Sequence, residues 1–236
     1  VHADWAVIAE PSDLQVVRAQ RGHLELVLSV KGRSAHSSQP HLGANAIYLA
    51  GQVLPPLQQL AVSLPADAFL GAGGLAITDI SANAASRSAI PDRCDLLIDR
   101  RLTVGESEAS ALAELQSALD RAGVEGSIRV IEDEVRTYTG WLYRARRASP
   151  PWAFEADHPL IAAMQAAAGE VRLSPALATW PFATEGAYTA GVAGIPTVGF
   201  GPGSPAVPHT CNEYVDVEQI YAAASAYAAL AARLLS

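Results

Sequence analysis

His23-Leu24-Glu25-Leu26-Val27-Leu28-Ser29-Val30 alternates, with Leu24, Leu26, Leu28 and Val30 on one side. A two-residue period places those four on one face of a half-buried β-strand. Beyond it the period changes. From Gly43 to Leu64, Ala46, Ile47, Leu49, Ala50 and Val53 recur at helical spacing. Pro55-Pro56 is expected to kink or break this helix, because each ring removes a donor and clashes with the preceding turn. Glycines 71, 73 and 74 punctuate, and Leu75 to Ile80 alternates again. Ile90 to Leu102 reads as a further strand, and Gly105 to Ala122 as an amphipathic helix striped by Ala111, Leu112, Leu115 and Leu119. Ile128 to Val135 closes the series as a strand. Strand, helix, strand, strand, helix, strand is the ferredoxin-like order, which assigns residues 18–135 to one compact domain.

Outside that block the pattern is α/β. Asp4 to Ala9 reads as a strand running into a site. Tyr138-Thr139-Gly140-Trp141 and Pro150-Pro151-Trp152 read as an irregular connection, followed by a helix from His158 to Gly169. Leu177 to Trp180 fits no clear pattern. Thr184 to Gly191 suits a short helix, Ile195 to Phe200 an apolar strand, and Val217 to Leu235 an Ala-rich final helix. The expectation is a partial parallel-sheet α/β domain, 1–17 with 136–236, interrupted by the inserted domain 18–135. Because Val1 already enters a strand-like run, the α/β domain is expected to lack its first half.

Composition narrows the class. Half of the 236 residues are hydrophobic and 17% are charged, as in globular proteins with a real core. A net charge of −8 argues against nucleic acid or an anionic membrane as partner, since both select clustered cations. The one dense basic run, Arg144, Arg146 and Arg147, reads as a solvated face. Two cysteines, Cys94 and Cys211, are too few for a disulfide scaffold and suggest reduced thiols in the cytoplasm. No run of about 20 apolar residues is present to span a membrane.

Four clusters carry chemistry. Glu10, in Ala9-Glu10-Pro11-Ser12, is a carboxylate at the end of an apolar strand, where α/β sheets gather ligands. Alone it reads as a solvated loop acid. His209, in Pro208-His209-Thr210-Cys211-Asn212-Glu213, offers an imidazole suited to zinc, although a lone loop histidine is usually a surface residue. Gly32-Arg33-Ser34-Ala35-His36-Ser37-Ser38-Gln39-Pro40 is a polar loop leaving the first strand. Asp99-Arg100-Arg101 ends a strand in two cations, whose plain reading is an ion pair with Asp99 or Asp95.

These pieces, with Gly43-Ala44-Asn45-Ala46-Ile47, Pro91-Asp92, Gly194-Ile195-Pro196 and Gly201-Pro202-Gly203, stand in an order that resembles the M20 family of metallopeptidases and deacylases. Gln20-Arg21-Gly22, Asp99 to Thr103 and Tyr138-Thr139-Gly140 look closest to its selenium-metabolism-linked hydrolases. The resemblance implies a two-zinc amidohydrolase, with cobalt or manganese as alternative metals, acting on a small carboxylate-bearing substrate such as an N-acyl amino acid or dipeptide. It implies Glu10 and His209 as ligands, one on each metal, and His36 as a donor to the oxyanion in the partner subunit's site. Arg101 corresponds to an arginine that binds the substrate carboxylate, a task suited to a planar fork of donors. Gly201 and Gly203 correspond to a turn whose free N–H groups can meet an anion. The inserted domain is implied to pair two chains into a homodimer.

Several positions depart from the pattern. Ser88 stands where many members have asparagine, so its substrate contact rests on one short donor. Thr184-Glu185-Gly186 replaces a commoner Thr-Asp or Thr-Asn. The family's Glu-Glu motif is absent from this sequence. Two other readings stand beside the hydrolase: a non-catalytic dimerisation or binding module, and a transferase or hydrolase using Cys94 or Cys211 as nucleophile.

Overall fold

The computed structural model describes residues 3–235; Val1, His2 and Ser236, at the ends of the expected 1–17 and 136–236 pieces, lie outside these. The chain forms two compact units. One holds the residues up to Gly22, the piece Ala68–Leu70 and those from Ser149 onward; the other holds His23–Asp67 and Gly71–Ala148. The divisions between these two units fall at Gly22/His23 and Ala148/Ser149. Two elements absent from the sequence reading lie near them. Val16–Gln20 is a strand of the first unit, and Leu142–Arg146 pairs with Glu132–Arg136 in the second.

In the second unit the alternating strand is Gly22–Lys31, with Leu24, Leu26, Leu28 and Val30 buried on one face. Hydrogen bonding places it between Gly126–Val130 and Arg93–Leu102, and Arg93–Leu102 pairs in turn with Gly74–Asn83. Helices Ala46–Val62 and Glu108–Ala122 bury Ala50, Val53, Leu57, Ala111, Leu115 and Leu119 in one core with Leu96 and Ile98. This is the expected βαββαβ order.

Helix Ala46–Val62 runs through Pro55 and Pro56 without ending, contrary to expectation. The carbonyls that lose their donors belong to Gly51 and Gln52, both exposed, so water can serve them. Gly51 also has open space around it. Asn45 caps the start by accepting from the Ile47 N–H at 2.9 Å. Glu108–Ala122 begins with a capping box in which Ser107 and Ser110 exchange bonds, and ends on left-handed Gly123. The strand expected from Ile128 to Val135 is two strands, Gly126–Val130 and Glu132–Arg136. The second turns at Gly140 (φ 86°) into Leu142–Arg146 as a hairpin where an irregular connection was expected.

The first unit is built on a mixed sheet and not an all-parallel one. Ala6–Ile8 runs parallel to Thr197–Gly199, and Val16–Gln20 runs parallel to Leu177–Trp180. Val16–Gln20 is antiparallel to both Thr197–Gly199 and Trp152–Ala153. One face packs Val16, Val198 and Phe200 against helices Pro159–Glu170 and Val217–Leu234. The other packs Val17, Trp152 and Trp180. Ala6–Ile8 is the sheet edge, and an apolar groove of about 370 Å³ runs beside it, lined by Trp5, Val7, Leu230 and Leu234. No helix among the described residues is long and apolar enough to cross a membrane.

One buried charge network tests the packing of the second unit. Arg100 is fully buried; it donates to Glu106 and, at 3.0 Å, to Glu114, while Glu106 also accepts from the Thr103 N–H at 2.7 Å. Without Glu106, the buried Arg100 keeps only the partly exposed Glu114 as counter-charge. Glu106→Gln is expected to cost about 3 kcal/mol in urea unfolding, whereas Glu132→Gln, which breaks an exposed pair with Arg146, should cost less than about 1 kcal/mol. Equal losses in the two variants would show that Arg100 is not held as described.

Candidate functional site

Because Ala6–Ile8 and Thr197–Gly199 are parallel neighbours, the loops that follow them emerge side by side. The first carries Glu10 and the second Gly201-Pro202-Gly203. They are stitched together. Ser12 Oγ accepts the Gly201 N–H at 3.0 Å, and the Gly201 carbonyl accepts the Ser12 and Leu14 N–H groups at 3.3 and 3.0 Å. The Gly203 carbonyl accepts the Asp13 N–H at 2.8 Å, and Trp180 Nε1 donates to the Pro11 carbonyl at 2.9 Å. A Cβ on Gly201 would stand 2.3 Å from the Glu10 carbonyl oxygen and 2.5 Å from that of Ala9, so only glycine fits there. Asp13 and Leu14 are left-handed (φ 52° and 57°), a strained pair that these bonds retain.

This geometry corrects the expectation for the glycine turn. Neither N–H group is free to meet an anion: that of Gly201 is held by Ser12, and that of Gly203 by Gln219 Oε1 at 2.6 Å. The turn instead fixes the Glu10 loop.

Glu10 and His209, from opposite ends of the sequence, line one cavity of about 350 Å³. Phe182, Thr184, Glu185 and Pro208 line it as well. His209 is left-handed (φ 64°), and its N–H donates to Glu213 Oε2 at 3.1 Å. Thr184 donates to Oε1 of fully buried Gln20 at 2.6 Å and accepts the Gly186 N–H at 3.0 Å, which sets the wall beside Glu185. Glu185 was met in the sequence only as a departure. An acid at the start of a short helix, after an apolar strand, was the signal available for it.

Among the described residues no three His, Cys, Asp or Glu side chains are grouped closely enough to hold a metal ion. A catalytic zinc takes about three protein ligands.

The second unit carries the other candidates. The His36 loop runs antiparallel to residues 88–90: the Ile90 N–H donates to the Ala35 carbonyl at 2.9 Å, and the Ser37 N–H to the Ser88 carbonyl at 2.8 Å. His36 and Ser88 are thus brought together. His36 Nδ1 accepts the Ser38 N–H at 3.2 Å and lies 2.7 Å from Ser38 Oγ. An amide can only donate, so Nδ1 is the acceptor in this contact and Nε2 is the ring nitrogen left for another partner. The ring is exposed.

Arg101 commits two nitrogens to Asp99, at 2.7 and 2.9 Å, while His23 Nε2 lies 3.1 Å from the same carboxylate. Burial pushes the Asp99 carboxyl up, but Arg101, helped by His23, outweighs it and holds the group below the usual carboxylate range. Arg100, on the opposite face, is structural. Cys94 is buried, and burial together with the Asp95 charge pushes its thiol up, which disfavours the thiolate a nucleophile needs.

Two outcomes follow from these contacts. Gly201→Ala should lower stability by at least about 2 kcal/mol in urea unfolding, since the new methyl meets backbone that cannot move aside; an unchanged midpoint would refute the clamp. Asp99 has a depressed folded value, so its contribution is present above the ordinary carboxylate pKa and is lost as pH falls through the lower one. Asp99→Asn should therefore cost about 1 kcal/mol at neutral pH, a difference that shrinks when both proteins are unfolded at about pH 3.

Residues 18–127 match the family described as the M20 peptidase dimerisation domain. The Escherichia coli (strain K12) protein YgeY is 36% identical over 231 residues, covering 98% of this chain and 57% of its own. A Mycobacterium tuberculosis (strain H37Rv) protein named as the succinyl-diaminopimelate desuccinylase DapE is 30% identical over 222 residues, covering 94% and 56%. The chain thus spans somewhat more than half the length of these curated relatives. Aminopeptidase PepT from Bacillus cereus superposes with a TM-score of 0.73 over 100% of this chain and 58% of its own; at 17% identity this likeness shows the fold alone. With a dimerisation domain of that type at its centre and such relatives along nearly its whole length, the chain belongs to the M20 family.

Proposed function

We propose that this chain is the part of a two-zinc M20 amidohydrolase that carries the dimerisation domain and one ligand for each metal. The single observation behind this reading is that Glu10 and His209 line one cavity. On this reading the remaining donors come from polypeptide outside the described residues. The open sheet edge at Ala6–Ile8, with its apolar groove, offers such polypeptide a place to pack. His36 presents Nε2–H to the negative charge that develops on the carbonyl oxygen as an amide is attacked. Charge-directed donors of this kind typically contribute about 100- to 1000-fold in rate. Arg101, oriented by Asp99, anchors a carboxylate of the substrate, and Ser88 lies beside the His36 loop to touch it. The substrate class is a small acylated amino acid or dipeptide, in keeping with the desuccinylase name of one relative. The protein is proposed to act in the cytoplasm as a homodimer.

A second reading, a dimerisation module without activity of its own, is favoured by the absence of three grouped donors among the described residues. Calorimetry separates the two. This chain alone should bind zinc only weakly and hydrolyse no N-acyl amino acid measurably. Glu10→Gln and His209→Ala should each weaken the residual binding by about tenfold or more. Tight binding of two zinc ions by the chain alone would contradict the proposal, as would residual binding indifferent to both substitutions.

A further inference from the structure

The hairpin formed by Glu132–Arg136 and Leu142–Arg146 is two-faced. Its register sets Leu142 opposite Arg136, Arg144 opposite Glu134 and Arg146 opposite Glu132, which makes one face a ladder of charges. The other face sets Tyr143 opposite Val135 and Ala145 opposite Asp133. On that side Trp141 stacks on Tyr143 with ring centroids 5.0 Å apart. Trp141 is nevertheless 65% exposed and Tyr138, at the turn, fully so. A lone two-stranded ribbon is marginally stable in water, and one with an aromatic face gains most by burying it.

We propose that this ribbon is an arm whose aromatic face docks on a second copy of this chain. One observation chooses that occupant. The matched dimerisation domain ends at residue 127, within the strand Gly126–Val130, and the ribbon leaves that strand after Ile131 alone. The arm is therefore continuous with the part of the fold whose family role is pairing copies. The inference rests on the homodimer reading above and extends it to a segment beyond the matched domain.

Sedimentation equilibrium on the full chain tests it. The double variant Trp141→Ser, Tyr143→Ser should dimerise about tenfold or more weakly than the parent. Glu134→Gln, on the charged face, should dimerise normally. Acrylamide quenching of Trp141, read as the difference between the parent and Trp141→Phe, should fall as concentration rises through the dimerisation range. That measurement needs no destabilised variant. Unchanged dimerisation of the double variant would overturn the arm. So would a Trp141 equally protected at the lowest concentration, since its cover would then come from its own chain. Absence of any association in the parent would instead remove the homodimer reading, and the arm with it.

Discussion

The candidate site depends on the absence of a single methyl group at Gly201. Its backbone lies so close to that of Ala9 and Glu10 that a Cβ would overlap two carbonyl oxygens. That closeness lets Ser12 bond the Gly201 N–H and lets the Gly201 carbonyl collect two amides in return. The loop holding Glu10 and the chain leading to His209 are thereby bound together at one sheet end. A similar contact closes the other end of the insertion. A Cβ on Gly22 would stand 2.7 Å from the Ser149 carbonyl oxygen and from Pro151, so the outgoing and returning segments touch. More than a hundred residues can intervene because both crossings are fixed by backbone.

What could be read from the sequence follows from how each element meets water. Gly22–Lys31 and Arg93–Leu102 bury one face each, and their alternation showed plainly. Val16–Gln20 buries both faces, Val16 in one core and Val17 in another, so it has no alternation to see. Leu177–Trp180 pairs with that buried strand and was equally silent. The proline pair misled because the rule concerns lost carbonyl partners, and sequence does not say that Gly51 and Gln52 face solvent. The hairpin escaped because its strands are mostly exposed and charged.

The site was legible in part for the same reason. Residue types and order pointed to Glu10, His36 and His209, but only coordinates could put Glu10 and His209 on one cavity. They also showed that the Gly201 and Gly203 amides are already engaged, which no spacing reveals. Arg100 and Arg101 make the point within one dipeptide. Strand geometry sends them to opposite faces, one onto buried Glu106 and the other onto a partly exposed Asp99.

Both units solve one problem in the same way. A functional side chain on a loop is useful only if the loop does not wander, because donors aligned in advance cost no reorganisation when charge develops. In the first unit Gly201 presses on the Glu10 loop. In the second, a Cβ on Gly32 would stand 2.3 Å from the Ala44 carbonyl oxygen, and one on Gly43 2.9 Å from that of Arg33. These contacts, with the paired Arg33 and Ala44 amides, fasten the base of the His36 loop as Ser88 fastens its tip. The glycines that look like simple punctuation in the sequence are therefore the points where backbone meets backbone.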